Sequence, residues 1–128
     1  MDPITAAIVA AVSAGVIGGL TEASKTMITD AYFKLKAMLA NKFGSESEVV
    51  HAVNEVEAKP DTPGRKAMLQ TEVAAAKADQ DPKLLDAAKA LLAQIKEQPG
   101  GEQYVQKVIG DYNIQVQGSG NTINQNKG

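Results

Sequence analysis

From Pro3 to Thr21 the chain carries no charged residue, and its bulky and small side chains fall into separate rows. Reading every fourth position gives Ile4, Ile8, Val12, Val16 and Leu20, with Val9 and Ile17 widening that row. Ala6, Ala10, Ala14 and Gly18 make a second row, and Ala7, Ala11, Gly15 and Gly19 a third. A spacing of four sets each row along one side of a helix, here predicted over about residues 3–20. Small residues at that spacing let another backbone approach closely, the arrangement by which helices associate in lipid. A secretory signal is disfavoured because Asp2 stands where a basic leader would be. Two readings stay open: a membrane-spanning helix, weakly hydrophobic for its length and without a cationic flank, and the buried central helix of a bundle. They are compatible if the helix is buried at rest and released later.

The rest of the composition narrows the class. At 128 residues the chain has room for one domain with a short appendage. Twenty of its apolar residues are Ala and only five residues are aromatic, so the core is thin and built from Leu, Ile, Val and Met. The absence of Cys excludes disulfide scaffolds, thiolate zinc sites and cysteine nucleophiles, and the single His excludes a multi-histidine metal centre. A net charge of −2 without a basic stripe argues against nucleic-acid binding. His51 has no nucleophile or carboxylate tied to it by motif, Glu55 and Glu57 lie on different helix faces, and the N-terminal glycines lack the strand and Lys-Ser/Thr of a phosphate loop. No enzyme activity, cofactor or metal is expected.

Between Glu22 and Gln98 charged and apolar residues are interspersed at helical spacing. One helix is predicted from Thr21 to Phe43, with Ile28, Ala31, Tyr32, Leu35, Met38, Leu39 and Phe43 on its apolar side and Gly44 as its stop. Ser45 to Glu48 is predicted as a capping box for a helix bearing Val49, Ala52, Val53 and Val56, ending before Pro60. Thr62-Pro63 and Asp81-Pro82 each place a cap residue before a proline at the first helical turn. Met68, Leu69, Val73 and Ala76 follow the first, and Leu84, Leu85, Ala88, Leu91, Leu92 and Ile95 the second. The expected architecture is all-α: a small antiparallel bundle of four to five helices over residues 1–98. Whether Gly18-Gly19 breaks or bends the first helix is open.

Pro99-Gly100-Gly101 then suggests a flexible linker over residues 99–103, and the pattern beyond it changes. From Tyr112 to Asn126 charge disappears again. Tyr112, Ile114 and Val116 alternate with Asn113, Gln115 and Gln117, which is strand patterning. A repeat of eight residues relates Val108-Ile109-Gly110-Asp111-Tyr112-Asn113 to Val116-Gln117-Gly118-Ser119-Gly120-Asn121, both of the form Val-x-Gly-x-x-Asn. Two such strands bury too little to stand alone. Stacked between identical chains, their Val and Ile form a dry zipper and their Asn and Gln form amide ladders, and the absence of charge permits in-register stacking. Residues 104–126 are therefore predicted as a β-forming, amyloid-type tail with Val108, Ile109, Gly110, Asn113, Ile114, Gln115, Val116, Gly118, Asn121 and Ile123 as its core. A disordered polar tail, or a hairpin pairing with a partner's sheet, is the other reading.

Two stretches of the helical part, residues 30–38 through Phe43-Gly44 and residues 59–65, resemble the Bell domain of bacterial amyloid-signalling proteins. The tail resembles the amyloid motifs of that family and the RHIM motif of animal necroptosis proteins. Ile114-Gln115-Val116 and Gly118-Ser119-Gly120-Asn121 match the RHIM core, with Gln117 an extra residue between the halves, and the upstream copy keeps Gly-x-x-Asn but lacks the Gln. The resemblance implies a cell-death effector of the abortive-infection type, similar to the fungal HeLo proteins. In these an NLR-type sensor with a matching motif templates the effector's fibril. The N-terminal helix, here Ile4, Ile8, Val9, Val12, Gly15, Val16, Ile17, Gly19 and Leu20, then inserts and permeabilises the membrane. The implied partners are further copies of the chain, such a sensor and membrane lipid; the implied location is the cytoplasm, then the inner face of the cell membrane. The rival expectation is a structural or adaptor filament whose bundles decorate a fibril and never meet lipid.

Overall fold

Asp2 stands in extended geometry (φ −71°, ψ 159°), and its carboxylate oxygens accept the Thr5 N–H and the Thr5 hydroxyl, each at 2.8 Å. This cap, with Pro3 at the first turn, starts α1 (Pro3–Val12). The computed structural model describes residues 2–14 and 20–117, with side chains as far as Ile109 in the last helix. After α1 come α2 (Glu22–Phe43), α3 (Glu48–Ala58), α4 (Pro63–Ala76), a short 3₁₀ turn (Ala78–Gln80), α5 (Pro82–Lys96) and α6 (Gly101–Gln117). Among the described residues the fold is all-α, as the patterning predicts, with α6 as a sixth helix beyond the four or five expected.

Most helix ends form where the local chemistry places them. Thr21 caps α2 by accepting the Ser24 N–H at 3.0 Å, and Gly44 ends it. Asp81 accepts the Lys83 and Leu84 N–H groups at 2.8 and 3.3 Å, and its other oxygen pairs with Lys42 of α2. That ion pair holds the Asp81 carboxyl below its ordinary range, with the Leu84 N–H acting in the same direction. The cap of α3 differs from the predicted box: Ser47, two residues later than Ser45, accepts the Val50 N–H at 3.4 Å and donates to the Gly44 carbonyl at 2.7 Å. One hydroxyl thus both closes the turn after α2 and opens α3.

The long hydrophobic helix predicted over residues 3–20 is shorter where it is described. α1 ends at Val12, Ser13 leaves helical geometry (φ −106°, ψ 6°), and Thr21 is again extended (φ −81°, ψ 164°). The chain therefore breaks before α2; Gly18-Gly19 itself lies outside the described residues.

α1 sits in the middle of the bundle. It packs most extensively on α5 and also touches α2, α3, α4 and α6. The amphipathic helices turn the predicted residues toward it: Ile28, Tyr32, Leu35 and Leu39 of α2, Val49, Val53 and Val56 of α3, Leu69 and Val73 of α4, and Leu84, Ala88, Leu91 and Ile95 of α5 are buried. Met68 is the exception, more than one-third exposed, because Leu69 and Val73 already fill the inward side of α4.

Residues 99–103, expected as a flexible joint, make a tight turn and the start of α6. Gly100 takes φ +77°, the left-handed region open to glycine. The Gly101 N–H reaches the Gln98 carbonyl at 2.8 Å. A Cβ on Gly101 would stand 1.9 Å from the Ile95 carbonyl oxygen, so only a glycine lets α6 begin this close to α5. The turn folds α6 back onto α5 and α1.

Candidate functional site

The feature that sets this bundle apart is a central helix without a polar face, covered in part by the segment that carries the first copy of the repeat. On α1, residues 4–10 are all buried. Ile4, Ile8 and Val9 are each at most 1% exposed, a burial that contributes roughly 1.5–3 kcal/mol per side chain. Among the described residues Thr5 is the one buried polar residue of the core, and its hydroxyl is satisfied by Asp2. The small row is filled from outside: Ala6, Ala7 and Ala10 are at most 1% exposed. Of the residues predicted for membrane insertion, Ile4, Ile8 and Val9 belong to the core, and Val12 and Leu20 are half-buried against it. Gly15, Val16, Ile17 and Gly19 lie outside the described residues. Among the described residues no helix is long and apolar enough to cross a membrane.

The predicted amyloid core divides in the same way. Val108 and Ile109 are half-buried against the bundle. Gly110, Asn113, Ile114, Gln115 and Val116 belong to α6 by their backbone, whereas Gly118, Asn121 and Ile123 lie outside the described residues. Where alternation predicted strand from Tyr112 to Gln117, this state of the chain is helical. The reason lies upstream: Tyr104, Val105, Val108 and Ile109 recur at helical spacing and pack on the core, while a strand would need a second strand that no other described part of the chain provides. Val105 is 1% exposed and anchors the helix.

Tyr104 makes the polar contact between α6 and α1. Its hydroxyl donates to the Ala10 carbonyl at 2.7 Å, across 94 positions of sequence. Burial raises its pKa; the nearby Ser13 hydroxyl opposes this and the Asp61 charge adds to it, so the phenol is pushed up to about 12. It is a protonated donor at neutral pH. The apolar stripe 104, 105, 108 and 109 signals that α6 packs inward, but nothing in the spacing names Ala10 as the partner.

Elsewhere the polar groups hold the scaffold. The Tyr32 hydroxyl donates to the Glu57 carboxylate, which also takes the Lys36 ammonium at 2.8 Å. Burial first, then the Glu57 bond and charge, push the Tyr32 phenol far above its ordinary range. The Arg65 guanidinium donates to the Glu55 carbonyl at 2.8 Å and lies 3.4 Å from its carboxylate. Glu55 and Glu57 therefore face different helices, as the spacing predicts, tying α3 to α4 and to α2. His51 is exposed, near Ser45, Glu46, Glu48 and Asn54 in a shallow open groove. Among the described residues no group of three His, Asp or Glu side chains could hold a metal ion.

A family model described as the Het-E N-terminal domain matches residues 1–128. The family is one of helical cell-death domains related to the fungal HeLo domains, which agrees with the HeLo-like resemblance of the helical part and places the chain, at that general level, among cell-death effectors. No curated protein and no solved structure matches the chain.

Proposed function

Because the chain belongs to the Het-E N-terminal domain family, we propose that it is a cell-death effector whose resting bundle stores an apolar N-terminal segment and whose C-terminal repeat releases it by self-assembly. One observation carries this reading: α1 is buried on all sides, and part of its cover is α6, which holds Val108 and Ile109 of the first Val-x-Gly-x-x-Asn copy against the core. The same residues cannot serve both as a helix packed on α1 and as a strand stacked on another chain. Templating of the repeat, by a sensor with a matching motif or by another copy, draws Tyr104, Val105, Val108 and Ile109 away from the bundle. The uncharged segment then loses its cover.

Assembly also gathers many bundles along one fibril and raises the local concentration of their N-terminal segments. Rebuilt as a continuous helix, residues 3–20 would be about 27 Å long, near the ~30 Å hydrocarbon core. The small rows would then serve helix–helix contact and the bulky row would face acyl chains. The action requires assembly at the inner face of the cell membrane and no catalysis, cofactor or nucleic acid.

The test is dye leakage from liposomes by the purified chain, with and without preformed fibrils of residues 104–126. Leakage that depends on fibrils is expected. Gly15→Glu should abolish leakage and leave fibrils; leakage that survives it would sink insertion. Val116→Pro should stop fibrils, because proline cannot donate to the ladder; unchanged seeding would remove the tail from the mechanism. The filament reading draws on the shortness of α1 as described, ten residues. Fibrils without leakage would establish it in place of permeabilisation.

A further inference from the structure

The Ala10 carbonyl belongs to the last turn of α1, where four carbonyls have no partner within the helix. In an uninterrupted helix it would accept the N–H four residues on, that of Ala14. α1 has ended at Val12, Ala10 is fully buried, and a carbonyl enclosed there without a partner is costly. Its partner comes from the far end of the chain, the Tyr104 hydroxyl at 2.7 Å.

We infer that the Tyr104 hydroxyl is the C-terminal cap of α1 and the latch between α1 and α6: by taking the Ala10 carbonyl it ends the helix at Val12 and makes departure of α6 and loosening of α1 one event. Packing alone would couple the two weakly, because Val105, Val108 and Ile109 slide off apolar neighbours without leaving an unsatisfied group behind. The hydrogen bond cannot slide. When α6 leaves, the Ala10 carbonyl is either orphaned or recaptured by the N–H of Ala14, and recapture lengthens α1. Tyr104 lies four residues before Val108, one helical turn upstream of the first repeat copy. Conversion that begins in the repeat thus reaches the latch after a single turn of α6 has unwound. This inference rests on the proposal that α1 is the element to be released.

The test is amide hydrogen exchange on the full chain carrying Tyr104→Phe, which keeps the ring and removes only the hydroxyl. Exchange across α1 is expected to rise about fivefold, a factor that converts to roughly 1 kcal/mol, with α2 to α4 unchanged. Val105→Ala, which weakens packing and keeps the hydroxyl, should accelerate α6 more than α1. Equal acceleration in every helix, or none in α1, would overturn the latch. Leakage from vesicles containing anionic phospholipid separates the two claims. If Tyr104→Phe loosens α1 selectively yet fibril-bearing protein leaks nothing, the latch stands and the membrane reading falls.

Discussion

α1 and α6 are neighbours that come from opposite ends of the chain, and they are held by different means. α1 has no polar face, so every side of it depends on another helix, and its residues 4–10 are buried without exception. α6 is anchored by one stripe, Tyr104, Val105, Val108 and Ile109, of which only Val105 is fully buried. Of the two, α6 is the helix whose departure the fold can survive. Removing α1 would hollow the core, whereas α6 can peel away and leave the amphipathic helices of the bundle still packed on one another.

Substitutions that weaken each helix in turn should separate the two. Ile8→Ala should cost about 4 kcal/mol and unfold the whole bundle, read as a fall in the urea midpoint. A loss confined to one helix would show that α1 is not central. Gly101→Ala should cost about 2 kcal/mol, because the new Cβ meets the Ile95 carbonyl and the start of α6 must shift. Its signature is a cooperative bundle with faster exchange in α6. Val108→Ala, at a half-buried position, should cost about 1 kcal/mol and act on α6 alone; a global effect as large as that of Ile8→Ala would erase the contrast. A further effect is alkaline. The Tyr104 phenol is raised from 10 to about 12 in the folded chain. Its contribution is whole below pH 10 and is lost as pH climbs from 10 through about 12, since the unfolded chain releases the proton first. Unfolding curves should show stability falling over that window, less so in Tyr104→Phe. Some of the fall should remain, because Tyr32 is raised in the same direction.

Much of the bundle was legible because periodicity and caps are local. The apolar positions of α2, α3 and α5 were readable from spacing alone, and Asp81-Pro82 forms the predicted cap by side-chain bonds. Thr62-Pro63 takes cap geometry by its backbone, without a side-chain bond. Asp2-Pro3 is a third instance of that pattern, and its cap also forms by side-chain bonds. The burial of α1 was one of two readings, since nothing local distinguishes a helix surrounded by helices from one surrounded by lipid. α6 was illegible for a different reason. Its residues carry two patterns at once, a helical stripe at 104–109 and alternation at 112–117, and alternation counts only when a second strand is present. Tyr104 to Ala10 joins residues 94 positions apart, beyond the reach of any periodicity.

In the proposed mechanism, conversion of the C-terminal segment uncovers α1. Hydrogen exchange of the full chain, with and without seeds of residues 104–126, measures that event where it occurs. The expected result is that seeding protects residues 108–121 as they enter the fibril and strips protection from α1, while α2 and α3 keep theirs longer. Fibrils in which α1 stays as protected as in the unseeded chain would contradict it.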